Sequence, residues 1–130
     1  MTARTALVVG SLLMLVAVAA GAFGAHALRN RVDTDLLVVW HIAVQYHAWH
    51  AVGLLVVGLL LQRAPGNRAW VAGAWLLIAG IVLFSGSLYA LTLTGERWFA
   101  LITPIGGFSF LAAWAMIAWG AWRSWPERGE

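Results

Sequence analysis

The chain alternates between four long apolar stretches and short polar segments. The stretches cover residues 5–27, 36–61, 70–91 and 102–122, and none of them contains Asp, Glu, Lys or Arg. As an α-helix the second stretch would be about 39 Å long, against about 30 Å for the hydrocarbon core of a bilayer. The pattern therefore predicts an all-α integral membrane protein, with residues 1–130 forming a single domain of four transmembrane helices.

The first stretch also has features of a signal peptide. Arg4 precedes an apolar core, and Ala17-Val18-Ala19 resembles a cleavage site. A signal-peptide core is about 7 to 15 residues long, whereas this stretch continues as far as His26. We therefore interpret it as the first transmembrane helix.

Short connections between consecutive helices predict an up-down four-helix bundle, because they make sequential helices antiparallel neighbours. The side that holds both chain termini carries five arginines: Arg4, Arg63, Arg68, Arg123 and Arg128. The opposite side carries three: Arg29, Arg31 and Arg97. Cytoplasmic loops are enriched in basic residues, so we expect both termini in the cytoplasm.

Composition supports a membrane class and excludes several chemistries. Hydrophobic residues make up 62% of the chain and charged residues 10%, whereas soluble proteins are about 25% charged. The nine tryptophans suit helix ends at lipid headgroups. The arginines form no cluster of the kind that binds nucleic acid, so we expect no such partner. Without cysteine, the chain has no disulfide, thiolate metal ligand or cysteine nucleophile.

Polar residues concentrate in one half of the predicted bundle, at the ends of helices one and three and the starts of helices two and four. The candidate pocket comprises His26, Gln45, Tyr46, His47, His50, Ser85, Ser87, Tyr89, Thr103, Gly106 and Gly107. Ionisable groups inside a membrane are costly and usually face the protein interior or a wet cavity. At 100° per residue, Tyr46, His47 and His50 share one helix face, whereas His41 lies opposite His50 and near Gln45.

Several chemistries are compatible with these histidines. His47 and His50, at i and i+3, suit one metal ion but lack an evident third ligand; the alternative is neutral rings hydrogen-bonded to neighbouring helices. His26 and His50 differ in depth by roughly 20 Å and cannot share a haem, whereas His26 and His41 lie at similar depth. Serine hydrolysis lacks an acid to orient the histidine.

A pocket for a quinone, a lipid or another small molecule would use Tyr46 and His50, with Gly106 and Gly107 leaving room. His50 is the deepest histidine, and low dielectric disfavours its charged form. We expect a neutral ring whose partners are Ser85, Ser87 or Tyr89, ahead of Thr103.

Small residues predict where helices approach closely. On the first helix Ala17 and Gly21 are four residues apart with Gly24 beside them, and on the third Gly86 lies between two serines. We expect all four positions to be helix-packing sites.

Four motifs in order resemble the signature of a small membrane-protein family, the domain of unknown function 423. They are Gly21-Ala-Phe-Gly-Ala-His26, Tyr46-x-x-x-His50, Phe84-Ser-Gly-Ser-Leu-Tyr89 and Thr103-Pro-Ile-Gly-Gly107. The resemblance implies a four-helix fold in bacterial inner membranes, with a mitochondrial transmembrane relative in animals and no established activity. It implies no family role for His41, and His47 stands where relatives commonly have Gln.

The leading functional prediction is a non-enzymatic structural or accessory membrane protein. The small-residue faces favour helix packing with copies of itself or within a larger membrane complex. The alternative is a ligand-binding protein whose pocket holds a metal, haem, quinone or lipid. A transporter is disfavoured because four helices without charged residues offer little to couple to an ion. The sequence specifies no cofactor, and the expected surroundings are the lipid bilayer.

Overall fold

Four long helices account for most of residues 1–124, the part of the chain that the computed structural model describes. They are α1 (Ala3–Leu28), α2 (Thr34–Arg63), α3 (Arg68–Thr94) and α4 (Thr103–Ser124), with a 3₁₀ turn at Arg97–Leu101 before α4. Each bound differs from the predicted one by at most three residues. The all-α prediction and the four spans are confirmed, since all four helices are long and apolar enough to cross a membrane. Arg128, counted above for orientation, lies outside the described residues.

The bundle is built from two helix pairs that meet along its middle. α1 packs along α2, α4 packs along α3, and α2 contacts α3 between them. More of α2 and α3 is buried than of α1 and α4. The largest fully buried side chains of the shared core are Leu54, Leu61 and Leu77, and Trp70 and Phe110 are nearly as buried.

Local chemistry explains where the helices begin and end. Thr2 accepts a hydrogen bond from the Thr5 backbone at the start of α1, and the Asn67 oxygen accepts from two backbone N–H groups at the start of α3. Gly95, with φ of 74°, adopts the left-handed conformation that ends α3. Asp33 occupies the cap position of α2, but its side chain makes no capping hydrogen bond.

Two π-helical turns interrupt the regular helices, at Gly24–Leu28 in α1 and at Ile81–Ser85 in α3. A π turn adds a residue to one turn and so rotates every later side chain around the helix axis. The turn in α3 lies immediately before Ser87 and Tyr89 and sets the direction in which they point.

The small-residue prediction is confirmed on α1 and is wrong for Gly86. Ala17 is buried against α2, and a Cβ at Gly24 would lie 2.6 Å from the Trp40 indole. The helix contact at Gly21 is looser, because an added Cβ would lie 3.5 Å from the Val44 side chain. A Cβ at Gly86 would meet nothing closer than 3.9 Å, because the π turn directs this position away from the neighbouring helices.

Candidate functional site

His47 and Tyr89 form a hydrogen-bonded polar pair between α2 and α3. His47 is buried, and its Nδ1 lies 3.3 Å from the Tyr89 hydroxyl. Its Nε2 is also buried but has no hydrogen-bond partner among residues 1–124. One turn before Tyr89, the Ser85 hydroxyl is likewise buried and unpartnered. Two polar groups with unused bonding capacity therefore occupy the interface of the inner helices.

His50 has a different environment from the one expected. Its Nδ1 donates to the Tyr46 carbonyl of its own helix at 2.6 Å, rather than to a hydroxyl of α3 or α4. Its ring stacks on Phe110, with 3.4 Å between ring centroids and 11° between planes. The prediction of Ser85, Ser87, Tyr89 or Thr103 as its partner is therefore wrong. The aromatic face of α4 occupies the space that the hydroxyls were expected to fill.

Aromatic packing fills the centre of the predicted pocket. Tyr46 stacks on Phe84 with 4.6 Å between centroids, and Phe110 lies beside both rings. Gly106 is in contact with the Phe84 backbone, so the missing side chain admits another helix rather than a ligand. In the described part of the chain, surface clefts of about 260 to 420 Å³ lie elsewhere, and neither His47 nor His50 lines these clefts.

Ser87 and Thr103 join α3 to the start of α4. Ser87 donates its hydroxyl proton to the Phe84 carbonyl at 2.9 Å, and its oxygen lies 2.8 Å from that of Thr103. Because the Ser87 proton is already used, Thr103 donates to Ser87. This pair is fully engaged in holding the two helices together.

The other predicted pocket residues do not join the buried cluster. His26 and Gln45 are exposed on the outside of the bundle, as is His41, the prospective haem partner of His26. His41 lies on the face opposite His50, as its spacing predicted, whereas the prediction that Gln45 lines the pocket is wrong. Gly107 lies beside Gly106 but only loosely against the Phe84 ring, at 3.9 Å from a built Cβ.

The proposed metal pair also lacks further ligands. Among residues 1–124, no group of three or more His, Cys, Asp or Glu side chains lies close enough to hold a metal ion. The Nδ1 atoms of His47 and His50 are directed to different partners, a phenol and a backbone carbonyl. The arrangement consists of two separate structural hydrogen bonds, one across helices and one within a helix.

Two buried tryptophans were missed by the sequence analysis, which placed indoles at helix ends. Trp40 packs over Gly24 and donates to the Ala20 carbonyl at 2.9 Å, so it joins α2 to α1. Trp70 packs over Gly120 and donates to the Ile117 carbonyl at 3.2 Å, so it joins α3 to α4. The sequence shows each pair only as a Trp and a Gly on adjacent helices, and this does not identify them as contacts.

Fold and site together define a small helical membrane protein with a packed interior and hydrogen bonds that join its helices. A family model described as "Protein of unknown function (DUF423)" matches residues 20–107. The chain belongs to this family.

Curated relatives agree with this assignment. The chain is 46% identical over 111 residues to the UPF0382 membrane protein YwdK of Bacillus subtilis, covering 85% of this chain and 90% of the relative. It is 44% identical over 117 residues to the UPF0382 membrane protein SSP2132 of Staphylococcus saprophyticus, covering 90% and 96%. No solved structure matches. The family has no established activity, as the resemblance implied.

Proposed function

We propose that this protein resides in a bacterial inner membrane with both termini in the cytoplasm. On the side of the termini, the sequence carries five arginines, Arg4, Arg63, Arg68, Arg123 and Arg128, together with Glu127 and Glu130. The three arginines of the opposite side share it with Asp33, Asp35 and Glu96. This asymmetry supports the orientation, because basic residues near helix ends favour the cytoplasmic side.

The absence of cysteine makes the orientation testable with single-cysteine variants. Asn30→Cys lies in the α1–α2 connection and Ser124→Cys at the end of α4. In intact spheroplasts a membrane-impermeant maleimide should label Asn30→Cys at once and Ser124→Cys only after lysis. The reverse labelling order would show that both termini lie outside the cytoplasm.

We further propose that the protein acts as an accessory membrane component by packing laterally against a second copy of itself. The observation that carries this proposal is the outward position of Gln45 on α2. Its amide makes no hydrogen bond to residues 1–124 and is exposed, in line with exposed His41 and Trp49 one turn to either side. A polar stripe on the outside of a transmembrane helix is a site for another helix.

The depth of Gln45 makes the amide costly to leave in lipid. α2 has 30 residues and is about 45 Å long, so it exceeds the hydrocarbon thickness by about 15 Å. If α2 is centred in the bilayer, Gln45 lies about 9 Å inside the hydrocarbon. An unsatisfied amide there costs several kcal/mol, whereas hydrogen bonds between helices stabilise association by about 0.6–2 kcal/mol.

Gln45 is self-complementary across a two-fold axis. A glutamine amide both donates and accepts, so the same residue from two copies at equal depth satisfies both side chains. Two copies in the same orientation present Gln45 at equal depth. This favours self-association over a partner whose polar group would have to match that depth.

Cross-linking at a neighbouring position tests this interface while keeping Gln45. Val52 lies on the same face of α2 and is 46% exposed, whereas Leu12 on α1 is 57% exposed and serves as the control. Under mild oxidation in native membranes, Val52→Cys should form disulfide-linked dimers and Leu12→Cys should not. Adding Gln45→Leu should abolish the Val52→Cys dimer. Equal cross-linking at both positions, or dimers that survive Gln45→Leu, would refute the proposed interface.

A further inference from the structure

A basic cleft lies at the end of the bundle that holds the chain termini, between the start of α3 and the end of α4. Its volume is about 270 Å³, and it is lined by Asn67, Arg68, Ala69, Trp119, Gly120 and Arg123. The cleft is separate from the α2 face proposed above as a dimer interface, and from the buried polar cluster.

Hydrogen bonds fix the walls of the cleft relative to each other. The Asn67 amide nitrogen donates to the Ser124 hydroxyl at 2.7 Å and so ties the start of α3 to the end of α4. The Asn67 oxygen accepts from the backbone N–H groups of Ala69 and Trp70, so the helix end is already capped by the protein. Any anion bound here is therefore held by side chains rather than by the helix terminus.

Two arginines from different helices supply the positive charge. Arg68 enters from α3 and Arg123 from α4, where its guanidinium lies 5.7 Å from the centre of the Trp119 ring. The described residues that line the cleft include no carboxylate, and Glu127 and Glu130 follow Arg123 in the sequence. The planar fork of a guanidinium matches the oxygens of a phosphate.

The position of the cleft along the membrane normal identifies the source of the phosphate. α3 begins at Arg68 and α4 ends at Ser124, so the cleft lies where these apolar helices leave the hydrocarbon. Trp119, 55% exposed, presents an indole of the kind that prefers the headgroup layer. Lipid phosphates occupy the same layer. We propose that this cleft binds the headgroup phosphate of an anionic phospholipid, with the acyl chains lying along α3 and α4.

Competition between two lipids tests the proposal. Purified protein in detergent is mixed with equal amounts of phosphatidylglycerol and phosphatidylethanolamine, and bound lipid is counted by native mass spectrometry. The wild type should retain phosphatidylglycerol preferentially. The double variant Arg68→Gln/Arg123→Gln should lose this preference by about 25-fold, on the basis of about fivefold per arginine near an anionic lipid. Arg68→Lys/Arg123→Lys should retain part of it, since the charge remains without the fork.

The matched control removes two arginines from the opposite end, where acidic residues balance them. Arg29→Gln/Arg31→Gln should keep the wild-type lipid preference, and thermal unfolding without added lipid should confirm that all variants are folded. An equal loss of preference in both glutamine pairs would overturn the proposal, because it would reflect general surface charge. Displacement of phosphatidylglycerol by equimolar inorganic phosphate would also overturn it, since a free anion would then be the better ligand.

Discussion

Substitution of Gly106 by alanine is the sharpest test of the packing between α3 and α4. A Cβ at this position would lie 2.7 Å from the Phe84 Cα and closer still to the Phe84 nitrogen. These are backbone atoms of the π turn, and the Phe84 ring is itself stacked on Tyr46. The clash therefore cannot be relieved by rotating a flexible side chain. α3 and α4 must move apart by several tenths of an ångström.

The adjacent glycine provides a matched control. A Cβ at Gly107 would meet only the Phe84 ring, at 3.9 Å, which is ordinary contact. Overpacking costs about 1–3 kcal/mol, and backbone atoms place Gly106→Ala near the upper end of that range. Alanine gains about 1 kcal/mol over glycine within a helix at either position. We expect Gly106→Ala to lose about 2 kcal/mol of unfolding free energy and Gly107→Ala to gain up to about 1 kcal/mol.

The difference of about 3 kcal/mol between neighbouring substitutions is what the assay must resolve. Reversible unfolding by dodecyl sulfate in mixed micelles, followed by tryptophan fluorescence, measures the unfolding free energy of each variant. If the two alanine variants agree to within about 0.5 kcal/mol, the scatter expected for uncrowded positions, the close approach of α4 to Phe84 is refuted.

The same unfolding assay checks three further expectations. Gly24→Ala should lower the unfolding free energy by about 1–3 kcal/mol, because the added Cβ would clash with the Trp40 indole. Gly86→Ala should not lower it, because its Cβ would meet no atom within 3.8 Å. Trp70→Phe should lower the unfolding free energy by about 1 kcal/mol, because it removes the hydrogen bond to α4. Trp75→Phe, at a 56% exposed position, should leave the unfolding free energy unchanged. Ser87→Ala should lose about 1–3 kcal/mol by leaving the Thr103 hydroxyl without its acceptor.

The sequence was sufficient for the helices because their signal is additive over many residues. The hydropathy of each span is averaged over about 20 positions. Short polar connections make consecutive helices antiparallel neighbours. Helical phase was also reliable within a regular helix. In α2, which has no π turn, it placed His47 and His50 on one face and His41 on the opposite face, as observed, whereas Gln45 was predicted to line the pocket and lies outside it.

The packing prediction for Gly86 rested on residue type alone, and it failed where the helix is irregular. The π turn at Ile81–Ser85 redirects Gly86 away from other helices, and no composition rule marked that turn beforehand. The partner of His50 was missed for another reason. Its nearest hydrogen-bond acceptor is the Tyr46 carbonyl one turn earlier, and whether a histidine bonds to its own helix depends on its rotamer. That rotamer is set by Phe110, a contact between distant parts of the chain.

Two glycines with close neighbours, Gly24 and Gly106, differ in role from Gln45, the residue proposed to contact a second copy. The glycines that admit close neighbours are used within the chain: Gly24 receives Trp40, and Gly106 receives Phe84. These two glycines are therefore not available for contact with a second copy. From the sequence, small-residue faces were expected to form that contact. Gln45 is an exposed polar group within an outward face of α2. A substitution at Gly24 should then lower the stability of the single chain, whereas Gln45→Leu should leave that stability unchanged and remove only the association. If Gln45→Leu unfolds the chain as readily as Gly24→Ala does, Gln45 contributes to the fold of one copy, and the interface must lie elsewhere.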